Sequence, residues 1–193
     1  GAHRLRRRDD HGTFQRPAGE TWVEGTAIVD APFIGVLNHL FAPRVVLTNS
    51  TDQPSQVYID TDAVVAATEV LEVVARNGGT FSSQGTLSAP VVNLHLGGRF
   101  DSVYVSELYN TGDPDQDNTP RLRLYGADGP GTWLEADSVS IHASGDLRLS
   151  GLVKAQDVLV WSGFDPSWGA RRDLVIEEGP GQTPPPIDAA GSV

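Results

Sequence analysis

Cysteine and methionine are both missing from the 193 residues. Without cysteine the chain has no disulfide, no thiol chemistry and no cysteine-based metal site. Basic residues are scarce, 14 Lys and Arg against 25 Asp and Glu, for a net charge of −11. That balance argues against a nucleic-acid surface, because phosphate would be repelled. It suits a soluble surface, or one that attracts divalent cations. No apolar run reaches the roughly 18 residues a membrane span needs, so none is expected. A sustained helical stripe is also lacking. The nearest approach, Asp62 to Ala75, has valines that read equally well as strand. The chain opens on Gly1 and not on Met, as a mature protein with its leader removed would, and as a fragment would.

What the sequence does contain is 21 Gly and 13 Pro among many Val, Thr and Ser, a composition that favours strands and turns. Gly78 to Leu96, GGTFSSQGTLSAPVVNLHL, lies over the stretch from Ser144 to Gly163 without a gap. Gly79 falls on Gly145, Phe81 on Leu147, Gly85 on Gly151, Leu87 on Val153, Ala89 on Ala155, Val92 on Val158 and Leu94 on Val160. Apolar and polar residues alternate in this frame, the period of a strand with one buried face, and the glycines sit where the chain must turn. The copies are 145 − 79 = 66 residues apart, or three coils of 22. Two shorter echoes support a period near 20: ADSVSI at Ala136 precedes AQDVLV at Ala155 by 155 − 136 = 19 residues, and APRVVL at Ala42 resembles APVVNL at Ala89.

The expected fold is therefore all-β, a parallel β-helix (β-solenoid) with coils of about 19–25 residues and extended terminal tails. One coil cannot bury its own apolar row, but a stack can. A chance likeness among strands of a sandwich or jelly roll is the alternative. Three parts are expected: a basic N-terminal arm at 1–19, the solenoid at 20–178 and a Pro/Gly-rich tail at 179–193.

Arg4, Arg6, Arg7 and Arg8 make the arm basic on an acidic protein, suited to docking on a neighbouring copy or to remaining a solvated terminus. Trp22, Phe33, Leu40 and Phe41 are expected to cap the first coil, since solenoid ends must be covered. Asn49-Ser50-Thr51 fits a glycosylation acceptor, a tripeptide common by chance. Asp113, Asp115 and Asp117 alternate and precede Asn118, a spacing that could wrap oxygens around Ca²⁺ or serve as a solvated loop. The loop lacks the Gly and Glu that an EF-hand needs at its sixth and twelfth positions. Leu174, Val175 and Ile176 read as a last strand, or as one that adds to another subunit's sheet edge.

His95, His142 and Trp161 each follow the last apolar residue of their frame and are expected as an outward His/His/Trp strip on one face of the stack, with about two coils between the two histidines, too far apart for a metal. No nucleophile, zinc or phosphate-loop motif occurs. Asp101, Glu107, Glu135 and Asp157 are carboxylates that sequence alone cannot pair for sugar chemistry. Tyr104, Tyr109, Trp133 and Trp161 are the aromatics that would face a ligand.

ASGDLRLSGLVKAQDVLVWSG resembles the repeats of filamentous-haemagglutinin-like bacterial surface β-solenoids, and the likeness covers roughly residues 64–163. It is a style of repeat that carries no catalytic residue, and the family's secretion-domain motif is not apparent. The resemblance implies a secreted or cell-surface role. The function expected first is a non-enzymatic structural subunit, a homopolymer forming a fibre or layer. The second is an adhesin or carbohydrate-binding module recognising surface glycans. No cofactor is expected beyond Ca²⁺ at the acidic loop.

Overall fold

A computed structural model describes residues 3–5, 13–14, 19–109, 119–129, 131–143, 147–162, 174–177 and 187–189. Within them the chain is all-β with every strand pairing parallel, a solenoid of about six turns. Its strands run β1 (His3–Leu5), β2 (Thr13–Phe14), β3 (Thr21–Trp22), β4 (Thr26–Asp30), β5 (Phe33–Val36), β6 (Leu40–Thr48), β7 (Ser55–Ile59), β8 (Val64–Ala75) and β9 (Gly79–Ser88). They continue as β10 (Val91–Leu96), β11 (Arg99–Tyr109), β12 (Arg121–Tyr125), β13 (Leu134–Ala143), β14 (Leu147–Gly151), β15 (Val153–Ser162), β16 (Leu174–Glu177) and β17 (Ile187–Ala189).

Three ladders enclose the core. The first stacks β1, β4, β6, β8, β10, β12, β14 and β16; the second stacks β2, β5, β7, β9, β11, β13, β15 and β17. The third is built from bent strands: β3 on the start of β6, then the start of β8, then the ends of β9 and β11. Alternation puts one row of each strand inside. The inward row of the second ladder runs Ile34, Val57, Phe81, Val103, Val139 and Val158 in register. That of the first runs Ala27, Val45, Leu71, Val92, Leu122 and Leu149. All twelve are buried, and each coil supplies what its neighbour cannot bury alone.

Ala136 does pair with Ala155, and Ser138–Ile141 with Asp157–Val160, all in one register, one coil of 158 − 139 = 19 residues. Val45 and Val92 share a column two coils apart, joined through Leu71. The longer alignment is corrected: Phe81 lies in the second ladder against Val103, whereas Leu147 lies in the first against Leu174. Val103 to Val139 is one coil of 139 − 103 = 36 residues, because the connection from β11 to β12 is inserted there.

Three expectations near the N-terminus also change. Strand pairing begins at His3–Leu5, with Arg4 opposite Ile28, inside the segment expected as an arm. Trp22 does not cover the end of the core: it stands on the outer side of the third ladder, 72 % exposed, stacked on Phe41 with centroids 4.3 Å apart. Leu40 alone of the four expected caps is buried.

Asn49 is 3 % exposed. Its amide donates to the Gln53 carbonyl at 2.7 Å and to Ser55 Oγ at 2.8 Å, while its Oδ1 accepts from Thr51 N and Oγ1. All four bonding positions are filled inside a coil corner, which leaves no room for a glycan. Asn49→Ala is expected to cost about 2–3 kcal/mol by stranding these partners, read as a lowered urea midpoint.

Candidate functional site

Bulges at the bend between the second and third ladders shift the register between Val105 and Leu108 on β11, opposite Ile141 and Ala143 on β13. His142 stands at that bend and is directly paired with Trp161 on the next coil. Tyr104, two positions before the bend, reaches the same place from the preceding coil. The rings of Tyr104 and His142 lie 6.2 Å apart, and those of His142 and Trp161 5.6 Å apart, both tilted. Tilted contacts at such distances are attractive for aromatic pairs. The three make an outward aromatic strip over three coils, ending in Trp161, which is 57 % exposed. Leu159, two residues before it on the same strand, is 53 % exposed.

The strip gathers two of the four aromatics picked from sequence, Tyr104 and Trp161, and adds His142. Trp133 is half-buried at the other end of β13, where its carbonyl leaves no space for a side chain at Gly126. Tyr109 ends β11 paired with Ser88, and its side chain lies outside the described residues.

His95 does not join this strip. It belongs to the first ladder, between Val74 and Tyr125, with its ring 6.1 Å from the Tyr125 ring. Burial lowers its pKa below the usual histidine value, against the raising effect of the Glu72 carboxylate. The two histidines thus sit on different sides of the solenoid, so the expected one-face strip is corrected to leave His95 out: equivalent places in the aligned frame fall on different ladders.

Asp113, Asp115, Asp117 and Asn118 lie outside the described residues, as do Arg6, Arg7 and Arg8. Among the described residues no group of three or more His, Asp or Glu could hold a metal ion. Among the described residues no helix is long and apolar enough to cross a membrane. Of the carboxylates considered for sugar chemistry, Glu107 accepts from Thr86 Oγ1 at 2.6 Å, while Asp101, Glu135 and Asp157 are exposed. Leu174, Val175 and Ile176 form β16 against β14 of the same chain, opposite Leu147, Arg148 and Leu149.

The ends of the stack have a feature that no motif announces. Among the described residues the large exposed apolar side chains are Trp22, Leu37, Leu159 and Trp161. Trp22 and Leu37 belong to the first two coils; Leu159 and Trp161 belong to β15, and none lies on the coils between. Trp22 stacks inward on Phe41, so its other side looks away from the body, and Trp161 likewise meets His142 on one side only. Beyond β15, β17 pairs with Val153–Ala155, and among the described residues no strand covers 156–162 on that side.

No family model, curated protein or solved structure matches the chain.

Proposed function

We propose that the chain is a non-enzymatic structural subunit that stacks end to end into an extracellular or cell-surface fibre or layer. The observation that carries this reading is the confinement of large exposed apolar side chains to the two ends. Apolar surface exposed to water is worth about 25 cal/mol per Å² when covered, and a second copy can cover both ends at once. A coil added beyond β15 also satisfies backbone groups that a bare sheet edge leaves open. Joining unlike ends gives a heterologous contact, which does not close on itself and so propagates.

The test is sedimentation velocity on the wild type and on a Trp22→Ser/Trp161→Ser variant. The wild type is expected to sediment as polymer that grows with concentration, and the variant as the 20.6 kDa monomer. Both changes are at exposed positions, so the variant keeps its β-rich circular dichroism. A wild type that stays monomeric at every concentration overturns the reading.

The strip Tyr104–His142–Trp161 favours a second reading, an adhesin or carbohydrate-binding module in which sugar rings lie against the aromatics. Tyr104→Ala separates the two, since it cuts glycan retention without touching either end of the stack.

A further inference from the structure

Three of the 14 basic residues meet on the outer side of the first ladder. Arg121 on β12 is in register with Arg148 on β14, and Arg123 follows two residues along β12. Adjacent parallel strands are about 4.8 Å apart and alternate residues about 6.6 Å, so three guanidinium groups share one small area. Like charges directly across a ladder are destabilising, and among the described residues no acid takes a register position between Arg121 and Arg148. The neighbouring outward positions are Asn93 and Ser150 beside Arg123, and Val91 beside Arg121. Glu72, two coils away in the column of Arg123, is already bonded to Arg44. Glu177 takes the register position beyond Ser150, at the edge of the group. Among the described residues the Arg121 and Arg123 side chains have no hydrogen-bond or ion-pair partner, whereas Arg148 holds an interaction of its own.

We infer that Arg121 and Arg123, in the field of Arg148, form a binding site for an acidic polysaccharide strand. Charge complementarity is local. The body as a whole carries −11, so a broad anionic partner such as an anionic membrane or a second copy of this chain meets repulsion over most of its contact. A single thin strand can reach the arginines while meeting less of that charge. Guanidinium forks bind carboxylates through two parallel hydrogen bonds, while Asn93 and Ser150 can serve sugar hydroxyls. Bases of a single-stranded nucleic acid would need exposed rings to stack on. Here the nearby aromatic, Tyr125, is 5 % exposed.

The experiment is affinity electrophoresis of the full chain in gels containing polygalacturonate, neutral dextran or single-stranded polyuridylate, with Arg121→Gln/Arg123→Gln beside the wild type. The wild type is expected to be retarded by polygalacturonate at low salt, with dextran giving no retardation and polyuridylate at least tenfold weaker binding. Retardation should fade as salt rises, and the variant should lose it by tenfold or more. The variant's melting temperature is expected to stay close to wild type, because both changes are at outward strand positions. Equal retardation of variant and wild type, no retardation by polygalacturonate, or polyuridylate bound as tightly as polygalacturonate each overturns the inference. None of these outcomes depends on end-to-end assembly.

Discussion

Phe81→Ala should lower the unfolding free energy by about 3–5 kcal/mol. Phe81 is fully buried, between Val57 and Val103 in the inward row of the second ladder. The loss combines transfer of the ring to water with the cavity left behind. Collapse around the cavity is restricted, because the hydrogen-bonded ladders on both sides hold the coils at a fixed spacing. A variant made in the body of the stack also leaves two half-solenoids joined through a weakened contact, and each coil depends on its neighbours. Urea unfolding followed by circular dichroism reads the effect. Tyr104→Ala, on the next coil and facing outward, is the control and should change the midpoint little. A Phe81→Ala midpoint close to wild type would mean that this side chain is not in the core.

Gly79→Ala should be worse, above about 4 kcal/mol and enough to prevent folding. Gly79 has φ of 126°, where a side chain is strained, and a Cβ built there would sit 1.9 Å from the Ser55 carbonyl oxygen. The obstacle is backbone, paired with Gly79 across the second ladder, so it cannot swing aside as a side chain would. Gly19 separates the two causes: its φ is 146°, but nothing lies within 4 Å of the added carbon. Gly19→Ala should therefore cost only about 1–2 kcal/mol, the backbone strain alone. Soluble yield and melting temperature of the pair are the readout. Equal losses at both positions would place the whole effect in the dihedral and none in the close approach.

These two positions also explain what the sequence could and could not reveal. Alternating apolar residues punctuated by glycine announce a solenoid, since Phe81 and Gly79 mark an inward row and a tight corner. The same pattern occurs on every side of a coil, however, because alternation has period two whichever ladder a strand joins. That is why the match of Gly78–Leu96 with Ser144–Gly163 crosses from the second ladder to the first. The shorter match of Ala136–Ile141 with Ala155–Val160 keeps true register, having no corner inside it. Trp22 was illegible for a different reason. A strand of two residues, Thr21–Trp22, has no alternation from which to read its inward side.

The aromatic strip was half legible. Tyr104 and Trp161 stand out by residue type, and His142 and Trp161 by their equivalent places after an apolar run. Bringing Tyr104 beside His142 takes the register of β11 with β13, which sets Tyr104 opposite Ser140 and one same-face step from His142, and the sequence does not state that register across the intervening insertion. The exposed ends were not legible at all. Leu159 and Trp161 lie beyond Val153–Ala155, the part of β15 that β17 pairs with among the described residues, and composition does not encode that register. The arginine group needed the register of β12 with β14, across a turn and 148 − 121 = 27 residues of chain.

X-ray diffraction from an aligned, concentrated sample of the wild-type protein tests end-to-end stacking most directly. Strands lie across the solenoid axis, so copies that continue one another's ladders predict a sharp reflection near 4.8 Å along the fibre axis. A longer axial repeat of about 38 Å is expected with it, from the eight strands that each copy contributes to a long ladder. A sample that will not align and scatters as dispersed particles of 20.6 kDa would contradict the account.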